Sequence, residues 1–67
     1  MKIDILIRDT FIQLKVGKKL LVEFNGWYSK KGYFEIPFEV EQYLDRLHIC
    51  SYKLSKNIQK GRTALYV

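Results

Sequence analysis

His48 and Cys50 are the one histidine and the one cysteine of this 67-residue chain. An imidazole paired with a thiol or hydroxyl supports nucleophilic catalysis, and both groups ligate zinc. Neither chemistry gains further support. No Ser or Cys has a histidine partner at a motif spacing, and one Cys with one His falls short of a structural zinc set. Cys50 falls instead on an apolar arc and reads as a small core residue. Glu39, Glu41 and Asp45 offer carboxylates, but they fall on a predicted helix, Glu39 and Glu41 near its start, and suit capping and solubility better than acid–base work. No glycine pattern for cradling phosphates or dinucleotides occurs. The sequence therefore predicts a non-enzymatic protein with no cofactor and no metal.

The remaining chemistry is that of binding. The stretch "FNGWYSKKGYF", residues 24–34, holds five aromatic rings and two lysines in eleven positions. Rings stack on nucleobases and lysines follow phosphates. Aromatics also anchor protein interfaces. The net charge of +5 favours a polyanion, with solubility as the plainer explanation. The charge is uneven: residues 1–34 carry +4, residues 35–47 carry −3, and residues 48–67 carry +4.

Positioning those residues requires strands in a defined register, because a slip of one residue exchanges the two faces of a sheet. Two turns compete inside 24–34. A two-residue turn at Asn25-Gly26 would set Val22 against Ser29 and Leu20 against Lys31, spoiling the apolar face. A three-residue loop at Lys30-Lys31-Gly32 sets Tyr28 against Phe34, Phe24 against Phe38 and Val22 against Val40. It also puts Gly32 where such a loop wants a left-handed residue. The second register is the consistent one, leaving Asn25-Gly26 inside a strand as a bulge or a close backbone approach.

A loop at Asp9-Thr10 pairs Ile7 with Ile12, Ile5 with Leu14 and Ile3 with Val16. A loop at Gly17-Lys18-Lys19 pairs Val16 with Leu20, Leu14 with Val22 and Ile12 with Phe24. All three hairpins share one apolar face, which predicts an antiparallel four-stranded meander over about 2–8, 11–16, 20–28 and 33–37. Pro37 ends the ladder. Beyond it Val40, Tyr43, Leu44, Leu47, Cys50, Leu54 and Ile58 recur at helical spacing. They predict a helix over about 39–48 that covers one face of the sheet. Two readings remain for residues 48–60: continuation of the helix to 60, stopped at Gly61, or a strand through "HICSYKL". "TALYV" (63–67) reads as a short final strand. The expected fold is a single two-layer α+β domain.

The outward face then carries the candidate site. Phe11, Trp27 and Tyr33 lie toward one end of the sheet, with Arg8, Lys30 and Lys31 close by and Lys15 further along. Leu21 also points outward in this register. Lys53, Lys56, Lys60 and Arg62 form a second basic patch. The leading expectation is a small nucleic-acid-binding module (DNA or RNA) that stacks or wedges with its rings. The alternative is a protein-binding accessory or inhibitor that uses the same patch. It suits a phage or mobile element, and a homodimer would add burial that a small chain needs. One cysteine, no apolar run near the ~20 residues of a membrane span and no signal-peptide pattern predict a soluble, cytoplasmic protein without membrane contact.

Overall fold

The structure, a computed structural model, describes residues 1–67. Strands β1 (Lys2–Arg8), β2 (Phe11–Val16) and β3 (Lys19–Asn25) form two successive antiparallel hairpins. Apolar residues at every second position send Ile3, Ile5, Ile12, Leu14 and Phe24 to one buried face. The pairs Ile7–Ile12, Ile5–Leu14, Ile12–Phe24 and Leu14–Val22 stand as the turn arithmetic predicts. Asp9 takes φ 54 in the first turn, a left-handed conformation that aspartate tolerates.

The second turn is shorter than predicted. Val16 pairs with Lys19 across Gly17-Lys18, and Gly17 supplies the positive φ of 59. A bulge between the Leu14 and Lys15 pairs then absorbs the extra residue of β3. The bulge exchanges two neighbours. Leu20, expected on the core face, pairs with Lys15 and is exposed, whereas Leu21, expected outside, packs against the core. Beyond the bulge the apolar register is restored, so the hydrophobic pattern outweighs the turn length.

The predicted strand 20–28 breaks at Gly26. Its two halves are β3 and a short β4 (Trp27–Tyr28), which pairs only with β5 (Phe34–Glu35) in a separate two-stranded ribbon. Gly26 keeps one tie to the main sheet, its N–H donating to Thr10 O at 2.9 Å. The ring of Phe34 occupies the space a Cβ at Gly26 would take. Close backbone approach, rather than a hairpin turn, is thus the reason for glycine here.

The four-stranded antiparallel sheet consequently differs in membership from the predicted meander. Residues 33–37 are not its fourth strand. That place belongs to β6 (Ala64–Tyr66), paired with β1 in the order β3-β2-β1-β6. Leu65 sits opposite Ile3, and both are buried. The apolar face of β1 gives the C-terminal strand a reason to dock there.

Two helices cover the buried face: α1 (Phe38–Arg46) and α2 (Ser51–Gln59). The predicted helix is real, but its continuation is interrupted. Leu47 caps α1, and His48 takes φ 59. His48 N–H donates to Asp45 O at 3.0 Å and Ile49 N–H to Leu44 O at 2.9 Å. These are the two bonds of a Schellman stop, with Leu44 and Ile49 meeting in the core as its apolar contact. The stop turns Ile49 inward and leaves Cys50 exposed, which corrects its expected core role. Leu47 and Tyr43, on the same predicted arc, are also exposed. α2 ends by the same device. Gly61, at φ 73, donates to Ile58 O at 3.0 Å, and Arg62 N–H donates to Asn57 O at 2.9 Å. One cluster of eleven buried side chains joins the sheet, the ribbon and both helices. No helix is long and apolar enough to cross a membrane.

Candidate aromatic cleft

The β4–β5 ribbon positions the site. Its loop closes as expected, with Ser29 N–H donating to Tyr33 O at 2.8 Å and Gly32 N–H to Ser29 O at 3.0 Å. The Ser29 hydroxyl accepts from Lys31 N–H at 3.2 Å, and Gly32 takes φ 83. Tyr28 faces Phe34 across the ribbon, and their rings meet edge to face at 5.4 Å. The Tyr28 hydroxyl donates to Ile58 O at 3.2 Å, tying the ribbon to the last turn of α2. This anchoring fixes the opposite side of the ribbon, because Trp27 and Glu35 are cross-strand partners there and Tyr33 shares the alternation of Glu35.

Trp27, Tyr33 and Glu35 form one wall of an open cleft of about 500 Å³. The other wall is Pro37, Phe38 and Glu41 at the start of α1, with Ser51, Tyr52 and Ser55 on α2. Four rings keep large exposed areas: Phe38 70%, Tyr52 63%, Trp27 50% and Tyr33 42%. Exposed rings gathered around one concavity need an explanation that scattered ones do not. The cleft lining contains no lysine or arginine. A cation stands at its border instead, where Lys56 Nζ lies 4.7 Å from the centre of the Tyr52 ring. Glu35 and Glu41 face the cleft without an ion-pair partner, since the one salt bridge in the structure joins Lys2 to Asp4 at 3.5 Å.

The structure divides the site expected from the sequence. Trp27 and Tyr33 come together as expected, with Lys30 and Lys31 exposed in the adjoining loop. Phe11 and Arg8 are cross-strand partners at the turn end of β1–β2. With Leu6, Ile7 and Gln13 they line a smaller cleft of about 200 Å³ that shares no residue with the first. Lys15 is half-buried in the sheet, where its cross-strand partner is the Asp4 already bound to Lys2. Lys53, Lys56, Lys60 and Arg62 are exposed along and just beyond α2. Gly32 lies against the side chain of Gln59, so the loop bearing Lys30 and Lys31 abuts the lysine-bearing end of α2. The two basic patches, separate in sequence, are therefore neighbours.

Phe38 and Tyr52 are the functional candidates that sequence reasoning misses. The expected register makes Phe38 a core strand partner of Phe24, whereas the structure starts α1 there and leaves the ring in solvent. A signal exists for Tyr52, which lies off the helical apolar arc with Lys56 four residues on, the spacing of neighbours on one helix face. Compared with protein-family models, with curated proteins and with solved structures, the chain finds no match.

Proposed function

We propose that this protein binds single-stranded nucleic acid, stacking unpaired bases in the aromatic cleft while lysines at its border hold phosphates. The observation that carries this reading is the gathering of Trp27, Tyr33, Phe38 and Tyr52 around one cleft with Lys56 at its border. Each base stacked on an aromatic ring contributes about 1–3 kcal/mol, and any base presents a face to stack. Lys30 and Lys31 in the ribbon loop and Lys53, Lys56 and Lys60 on α2 supply the phosphate contacts. Arg8, Phe11 and Lys15 lie outside the cleft and are not assigned to it.

Fluorescence anisotropy with a labelled mixed-sequence oligonucleotide over a range of salt tests this. Replacing both Lys30 and Lys31 with Gln is expected to weaken binding and reduce the salt slope by about 1.4, at about 0.7 per single-strand contact. Trp27→Ala is expected to lower affinity at unchanged slope, because stacking releases no counterions. Absence of binding even at low salt would overturn the reading.

A second reading, a protein partner or a second copy of the chain, draws on the two free carboxylates in the cleft. Aromatic rings flanked by acids suit a cationic side chain. In that case Trp27→Ala dissociates a dimer in size-exclusion chromatography with light scattering, or abolishes capture of the partner, and oligonucleotides do not compete.

A further inference from the structure

Glu35 and Glu41 have no role in a site that only stacks bases and holds phosphates. They are unfavourable for phosphates, yet both line the cleft, and neither is neutralised by a lysine or arginine in a chain that carries twelve such residues. Glu35 stands directly across the ribbon from Trp27, so its position relative to that ring is set by the backbone. Glu41 projects from the first turn of α1 beside the exposed Phe38. A ligand that stacks on these rings therefore meets carboxylates at its edge and finds its cations only outside the cleft.

An ionised carboxylate accepts hydrogen bonds and donates none. The Watson–Crick edges of the bases differ in what they offer it. Guanine presents two adjacent donors, N1–H and the N2 amino group, spaced for the two oxygens of one carboxylate. Adenine and cytosine each present one amino donor beside a ring-nitrogen acceptor that repels the carboxylate. Thymine and uracil present one N–H between two carbonyls. The open cleft of about 500 Å³ has room for one base.

We infer that the cleft is selective for an unpaired guanine, with the base stacked among Trp27, Tyr33, Phe38 and Tyr52 and its Watson–Crick edge read by Glu35 or Glu41. The inference rests on the nucleic-acid reading above and adds the base that the site selects. The phosphates flanking the guanine lie outside the cleft, at Lys56 and its neighbours. Single-strand recognition of this kind, stacking plus edge readout, requires no duplex groove.

The test compares oligothymidine with the same strand carrying one central guanosine, inosine, adenosine or cytidine, titrated against the protein by Trp27 fluorescence and by anisotropy. One guanosine is expected to tighten binding about tenfold, the discrimination of one bidentate base contact. Inosine, which lacks the N2 amino group, is expected to fall between guanosine and the others. Glu35→Gln with Glu41→Gln is expected to abolish the preference for guanosine over the other three bases at the central position. A circular-dichroism melt that matches the parent shows that the variant is folded. If oligothymidine binds but guanosine confers no advantage, or if another base is preferred, the inference is overturned and the proposed function stands. The same holds if the double variant keeps the preference. If no strand binds, the proposed function fails, and the inference falls with it.

Discussion

On one side of the β4–β5 ribbon Phe34 is 3% exposed, pressed over Gly26 and met edge-on by Tyr28. On the other side Trp27 and Tyr33 remain open to solvent and face two further rings. Strand alternation sets Phe34 and Tyr28 on the side opposite Trp27 and Tyr33, although Phe34 still reaches the cleft lining and Tyr28 stays more than half exposed. One aromatic-rich stretch therefore does two jobs: one face of the ribbon completes the core, and the other builds the cleft. Ring content by itself does not distinguish packing from recognition. The distinction lies in which rings find a backbone or a helix to cover them.

Truncating one ring on each side puts this contrast under the most severe test. Phe34→Ala is expected to cost about 3–5 kcal/mol of stability, the range for emptying a large aromatic core site. Trp27→Ala is expected to cost about 1 kcal/mol or less, as at other surface positions. Urea unfolding of both variants decides the matter, and equal losses would mean that the cleft rings are structural. The two glycines of the stretch come next. Gly26→Ala forces a methyl group into the Phe34 ring and is expected to cost about 1–3 kcal/mol. Gly32→Val opposes a left-handed backbone and is expected to cost about 1–2 kcal/mol. Asn25→Ala, at an exposed site with neither constraint, should stay within about 0.5 kcal/mol of the parent. Thermal melts that rank Asn25→Ala as the most damaging would refute the ribbon register. The smallest effect is a gain. His48→Gly relieves the left-handed residue that ends α1 and is expected to add about 0.5–1 kcal/mol without altering oligonucleotide affinity. A loss of affinity in that variant would couple the helix junction to the cleft.

The parts legible in the sequence are those set by short-range pairing. Ile5 opposite Leu14, Ile12 opposite Phe24 and Tyr28 opposite Phe34 all follow from turns tested against the apolar pattern. Less legible are features in which one signal agrees with more than one structure. The apolar arc runs without a gap through His48, so nothing marks a helix break there. The left-handed conformation falls on a histidine rather than on the glycine that marks the end of α2. The pairing of "TALYV" with β1 depends on a contact between opposite ends of the chain, which no local period encodes. For the cleft, Trp27 and Tyr33 are recoverable from alternation. Phe38 and Tyr52 join them only because the ribbon leaves the sheet at Gly26 and settles against α2. Grouping Arg8 and Phe11 with them requires one continuous sheet, and the bend at Gly26 removes that continuity.

The bulge at Leu21 has a consequence for self-association. β3 is an outer strand of the sheet, and a flat, apolar outer strand is a template on which further strands add. Here the row of backbone groups is interrupted where Leu21 is displaced from the ladder. The carbonyl of Leu21 is also occupied, accepting a hydrogen bond at 3.1 Å from the hydroxyl of Tyr43 on α1. Lys19 places a charge at the start of the same strand, and the opposite outer strand, β6, is only three residues long. The β3 margin of the sheet is thus a poor template for fibril growth, a safeguard that matters in a chain with this much exposed aromatic surface.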